Sequence, residues 1–88
     1  MSFPKISLVI PALNEEEGIV ATIRRAPPEL HEIIVVDGGS KDNTAEAARK
    51  AGAKVIVEPR RGYGLAYKRG FAAAEGEFIA TADADATY

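Results

Sequence analysis

Ile33-Ile34-Val35-Val36, four β-branched residues in a row, is the tightest constraint on how this 88-residue chain folds. Successive side chains of a strand point to opposite faces. A run without polar alternation therefore predicts a strand buried on both sides, the situation of a parallel sheet covered by helices. Three other short apolar runs share its character: Ile6-Ser7-Leu8-Val9-Ile10, Lys54-Val55-Ile56-Val57 and the stretch from Glu77 to Ala82.

Helical patterns separate these runs. After the first, Pro11 is expected to end the strand, since proline cannot donate to a ladder. Asn14 is expected to cap the next helix, with Glu17 at capping-box spacing, Ile19, Val20 and Ile23 as the apolar stripe, and Pro27-Pro28 as the stop. The second helix starts around Asp42, Asn43 or Thr44 and closes at Gly52. A third carries Leu65, Ala66, Phe71 and Ala72 and ends near Gly76. Helical connections of this length imply parallel strands and right-handed crossovers. The predicted architecture is α/β, a Rossmann-like open parallel sheet β-α-β-α-β-α-β with strand order 3-2-1-4, in one domain over residues 1–88.

Composition removes several classes. Eleven basic and 13 acidic residues give a formal net charge of −2, which argues against a nucleic-acid binder. There is no cysteine, hence neither a disulfide framework nor a thiolate metal site. No apolar run approaches the roughly 18 residues of a membrane span, and the N-terminus lacks a signal-like pattern. The expectation is a cytoplasmic domain without a membrane segment of its own.

In open α/β sheets, ligands sit beyond the carboxyl ends of the strands, where strand order reverses. The polar clusters fall there: Asn14 and Glu15 after the first strand, Asp37 after the second, Arg60 and Arg61 after the third, Asp83 and Asp85 after the fourth. Each also has a plainer reading. Pro11 to Glu16 is equally a strand end and helix cap, and Asp37-Gly38-Gly39-Ser40 equally a turn. Arg60-Arg61-Gly62-Tyr63-Gly64 is either a solvated loop or a flap that meets a diphosphate. Asp83 and Asp85, two residues apart on a strand expected to be buried, aim their carboxylates at one point. Two such charges about 4 Å apart repel by about 4 kcal/mol at an effective dielectric near 20. Mg²⁺ or Mn²⁺, hard cations that share carboxylates with phosphates, would relieve that repulsion. His31 reads as a surface residue.

Together these pieces resemble the family 2 glycosyltransferases of the GT-A fold, most closely the polyprenyl-phosphate branch of the dolichol-phosphate mannosyltransferase type. The matching stretches are Val9 to Glu16, Ile34 to Thr44, Arg61 to Ala66 with Gly70 and Gly76, and Asp83-Ala84-Asp85. The resemblance implies a nucleotide-sugar donor of the GDP-mannose or UDP-glucose type, with Pro11, Leu13, Glu15 and Asp37 around the nucleoside. It implies Asp83 near ribose and metal, and Asp85 as principal ligand of Mg²⁺ or Mn²⁺. Arg61 joins the nucleotide-sugar set through the diphosphate, with Arg60 or Lys68 as alternatives where relatives carry a lysine in place of Tyr63. The implied activity is inverting transfer of a hexose from a GDP- or UDP-sugar, with polyprenyl (dolichyl) phosphate as candidate acceptor. The catalytic base is expected beyond Tyr88, in a part of the domain that would follow, along with any link to the cytoplasmic face of a membrane. The rival readings are a stand-alone, non-catalytic nucleotide-binding or interaction module, and a nucleotidyltransferase. The latter would want a glycine- and arginine-rich loop where Pro11-Ala12-Leu13-Asn14 stands.

Overall fold

The computed structural model describes residues 4–84. Seven elements alternate: β1 (Ile6–Ala12), α1 (Glu16–Arg25), β2 (Glu32–Asp37), α2 (Thr44–Lys50), β3 (Lys54–Val57), α3 (Tyr63–Ala73) and β4 (Phe78–Thr81). The strands form one parallel sheet in the order β3-β2-β1-β4, as the pattern predicts. The two central strands are buried on both faces. Leu8, Ile10 and Val35 join Ile19, Ile23 and Ala48 under α1 and α2, whereas Val9, Ile34 and Val36 pack beneath α3.

Pro11 does not end β1; it lies within the strand, opposite Val36 of β2. Backbone alternation explains how the sheet accepts it. The Val9 carbonyl accepts from Ala82 on the β4 side, whereas the Ala12 carbonyl accepts from Gly38 on the β2 side. Pro11, two residues beyond Val9, also faces the β4 side, and there the pairing stops at Val9 opposite Thr81. Its missing N–H therefore falls where no strand asks for one.

β4 departs from expectation in its burial. All four of its residues are exposed, Phe78 by 59% and Ile79 by 43%. It is an edge strand, and none of Phe78–Thr81 joins either apolar cluster. The run of apolar residues reported a strand correctly, but a strand inherits cover only from what lies over it.

Two glycines set how closely the layers approach. A Cβ on Gly70 of α3 would come within 2.3 Å of Val9 Cγ1 and 3.3 Å of Val36 Cγ2. One on Gly76 would meet Ser7 Oγ at 2.6 Å and the Lys5 carbonyl at 2.8 Å. The Gly76 N–H donates to Ser7 Oγ (2.9 Å), and that hydroxyl donates to Glu32 Oε2 (2.7 Å), so the entry to β4 is stitched to β1 and β2. Gly70→Ala is expected to lower unfolding stability by about 1–3 kcal/mol through overpacking. Urea denaturation checks this, and an unchanged midpoint would mean that α3 rides further from the sheet.

Candidate functional site

At the carboxyl ends of β1 and β2, two loops are laced into one unit. Asn14, expected as a helix cap, instead has φ of 52°, and α1 starts after Glu15 with no side-chain cap. In that left-handed conformation, to which Asn is better suited than most residues, Asn14 turns toward the neighbouring loop. Its N–H donates to Ser40 Oγ (2.8 Å) and its Oδ1 accepts from the Lys41 N–H (2.8 Å). The Glu15 N–H donates to the buried Thr44 hydroxyl oxygen (2.9 Å) and the Glu16 N–H to Asp42 Oδ2 (3.3 Å). The Asn43 N–H donates back to Glu16 Oε1 (3.1 Å). The first N–H groups of α1, which no intrahelical carbonyl can satisfy, are thus met from the opposite loop. The second helix begins after Asn43, while Asp42 Oδ1 accepts from the Thr44 N–H and hydroxyl.

Asp37 closes β2 at 3% exposure. Its Oδ2 accepts from the Gly39 and Ser40 N–H groups (3.2 and 3.1 Å), and its Oδ1 from the Ser40 hydroxyl. Its first duty is therefore to build its own turn, which leaves limited acceptor capacity for a ligand. Ser40 ties that turn to Asn14, so the position of Asp37 and that of the β1–α1 loop are set together.

Beyond β3, Glu58 is only 6% exposed. Arg60 donates to it from Nε (3.0 Å), Nη2 (2.8 Å) and its backbone N–H (3.2 Å), while Arg69 of α3 lies 3.3 Å away. The Arg60 side-chain hydrogen bond, working against desolvation and helped by the Arg60 N–H and both arginine charges, holds the Glu58 carboxyl down at about 2. Asp42 is also lowered, chiefly by the Thr44 hydroxyl.

Pro11, Leu13, Glu15, Asp37, Arg61 and Asp83 all lie at or beyond the carboxyl ends of the strands. Leu13 is 54% exposed there, near Gly38. Arg61 and the Asp83 carboxylate have no hydrogen-bond or ion-pair partner among the described residues; the Asp83 carbonyl accepts from Thr22 Oγ1 at 3.4 Å. Asp85 lies outside the described residues, so the geometry of the acidic pair is read from Asp83 alone. A cavity of about 350 Å³ opens beside α1, lined by Asn14, Glu15, Glu16, Glu17, Gly18 and Asp42. Sequence reasoning did not find the lacing role of Ser40 and Thr44, whose bonds span 26 and 29 positions, nor Glu58, whose ion pair with Arg69 reaches into α3.

Among the described residues, the one group of potential metal ligands within 4.8 Å of one another is His31, Glu32 and Glu75. It sits at the amino ends of the strands, opposite the crevice. Glu32 is engaged there in structure: burial raises its pKa, but the Glu75 N–H, the Ser7 hydroxyl and the charges of Lys54 and His31 bring it below the ordinary value. This group is not the expected Asp83–Asp85 centre.

A parallel sheet with helices on both faces, whose strand order reverses between β1 and β4, defines a Rossmann-like α/β domain. Residues 7–88 match the family described as Glycosyl transferase family 2, and the chain belongs to that family. It is 44% identical over 85 residues to an uncharacterized glycosyltransferase of Mycobacterium tuberculosis, covering 97% of this chain and 38% of that protein. It is 38% identical to a dolichyl-phosphate hexose transferase of Haloferax volcanii, covering 99% of this chain and 39% of the relative. The structure superposes with a TM-score of 0.83 and 35% identity on glucosyl-3-phosphoglycerate synthase from Mycobacterium tuberculosis in complex with Mn²⁺, UDP and glucosyl-3-phosphoglycerate. That match covers 92% of this chain and 33% of the synthase. The chain thus spans about two fifths of the length of the first two relatives, and the fold is the GT-A fold.

Two expectations follow. Ser40→Ala removes both the link to Asn14 and a donor to Asp37, and is expected to cost roughly 1–3 kcal/mol in urea unfolding. Because the Glu58 carboxyl is lowered from 4.5 to about 2, its stabilising contribution is complete above 4.5 and fades as pH falls through that interval. Urea midpoints followed against pH should fall over this window and fall less in Glu58→Gln. Identical profiles would show that the arginine clamp contributes nothing.

Proposed function

We propose that this chain is the donor-binding part of a hexosyltransferase that moves a hexose from a GDP- or UDP-sugar to a polyprenyl phosphate. The observation that carries the reading is that differently equipped loops leave the sheet at its carboxyl end, two of them hydrogen-bonded into one unit. Leu13 offers an exposed apolar face to a base. The remaining acceptor capacity of Asp37 suits a base N–H or a ribose hydroxyl. Arg61, without a protein partner among the described residues, suits the diphosphate.

Asp83 is the acid at the end of β4, with a carboxylate unclaimed by other described residues, whereas Asp37, Asp42 and Glu58 are already engaged. An exposed, unpartnered carboxylate is a fitting ligand for Mg²⁺ or Mn²⁺, with Asp85 as the companion. A divalent ion held there would neutralise charge on the departing nucleoside diphosphate. The chain's own residues hold the donor: the laced loops fix the nucleoside end before binding, which lowers the ordering cost. The Mn²⁺ and UDP of the synthase complex and the acceptor named for the Haloferax relative support this reading. A cytoplasmic location, at a membrane face when the acceptor is a lipid, belongs to the same proposal, and cell fractionation tests it.

The test is a panel of UDP- and GDP-sugars with the full-length protein and Mn²⁺, scored for thermal stabilisation and then for transfer to polyprenyl phosphate or 3-phosphoglycerate. Stabilisation by one nucleotide class, lost on Asp83→Asn or Asp85→Ala, is expected. Metal-dependent binding that survives both substitutions would remove the metal assignment. Transfer to 3-phosphoglycerate alone would replace the lipid acceptor.

A further inference from the structure

We propose that Glu58 is a positioning residue of the donor site: its clamp on Arg60 and Arg69 sets the β3–α3 loop so that Arg61 is the cation offered to the diphosphate. The inference rests on the donor-binding reading. Glu58 sits where three parts of the site meet. Its N–H donates to the Asp37 carbonyl (2.7 Å), continuing the β2–β3 ladder to the base of the Asp37 turn. A Cβ on Gly39 would lie 3.4 Å from Pro59 Cβ, so the Asp37 turn and the start of the basic loop are in near contact. Its carboxylate takes Arg60 through paired Nε and Nη2 hydrogen bonds, and reaches α3 through Arg69.

Of the consecutive arginines, one is therefore spent on the scaffold and the other is left over. α3 packs on β1 and β2 and runs back from the carboxyl ends of the strands, so the loop that precedes it is carried toward the crevice. The α3 N-terminus has no side-chain cap, and Gly62 precedes it at φ of 123°. Among the described residues, the Glu58 clamp is what ties side chains across this short turn. Losing the Glu58 charge frees Arg60 to compete with Arg61 and releases α3 from the end of β3.

Calorimetric titrations of the full-length protein in Mn²⁺ separate this role from a merely structural one. The probes are UDP and GDP, beside uridine and guanosine, which lack phosphate. Glu58→Gln is expected to weaken binding of the diphosphate that the wild type takes by about tenfold, the scale of one charge-assisted hydrogen bond. The matching nucleoside should change by less than about twofold. Arg61→Ala should cost about tenfold in the wild-type background and clearly less beside Glu58→Gln, since coupled residues are not additive. Equal losses for nucleoside and diphosphate, no loss, or strict additivity would each overturn the assignment. Should Glu58→Gln not fold, Arg60→Gln and Arg69→Gln each release one arm, and the same diphosphate-selective loss is expected. Unaltered diphosphate binding in both would overturn it. A wild type that binds neither UDP nor GDP sinks the donor reading and this inference together; a wild type that binds, with variants that bind alike, sinks only the role of Glu58.

Discussion

The structure depends on burial of β1 and β2 from both sides. Each of these strands contributes side chains to two separate apolar clusters, one under α1 and α2 and the other under α3. That demand forces helices onto both faces of a parallel sheet, and right-handed crossovers then dictate which way each turn of chain must run. With β2 and β3 laid to one side of β1 and β4 to the other, the chain reverses its progress across the sheet. The strand order reverses between β1 and β4, the point where open α/β sheets bind their ligands. Pro11 records the opening chemically: its absent N–H lies on the side where β4 pairing has ended.

Order at the crevice comes from a second layer of interactions. Backbone N–H groups at the start of α1 are satisfied by Ser40, Asp42 and Thr44, and Asn14 and Glu16 return bonds to the other loop. Because the bonds run both ways, neither loop is placed without the other. The unusual φ of Asn14 belongs to this arrangement, because it turns the backbone N–H and the side-chain oxygen toward one neighbour. The energy of any single bond is modest. Their number within a few residues ties the two loops together at several points.

The sheet order and the strand and helix identities were legible from the residues, because two-faced burial leaves an unbroken β-branched run. Asp37, Arg61 and Asp83 were placed at the carboxyl ends of the strands for the same reason: polar residues at or just past such runs lie at the rim. Long-range hydrogen bonds were not legible. Asn14 has the spacing of a cap, and nothing local says that Ser40 and Lys41 will claim it instead. Pro11 was misplaced because the rule that proline ends strands is silent about which side of the strand loses its partner. The exposure of β4 was missed because composition reports a residue's preference for burial, while cover depends on the other elements.

What the geometry adds to the motif pattern is a division of labour among acids of the same kind. Asp37 is spent on a turn, Asp42 on a helix start and Glu58 on two arginines, each within hydrogen-bond reach of groups that lower the cost of its charge. Asp83 has no such support from other described residues at its carboxylate, and neither does Arg61 at its guanidinium. On the donor-binding proposal, an acid at one strand end and a base in another loop suit a ligand that carries both signs. A nucleoside diphosphate with its divalent cation has that character: phosphate oxygens for the arginine and a metal for the carboxylate. Exposed charges are common when taken singly. On the donor-binding proposal they gain meaning together, because loops whose other acids are already engaged would lower the ordering cost of recognising one ligand.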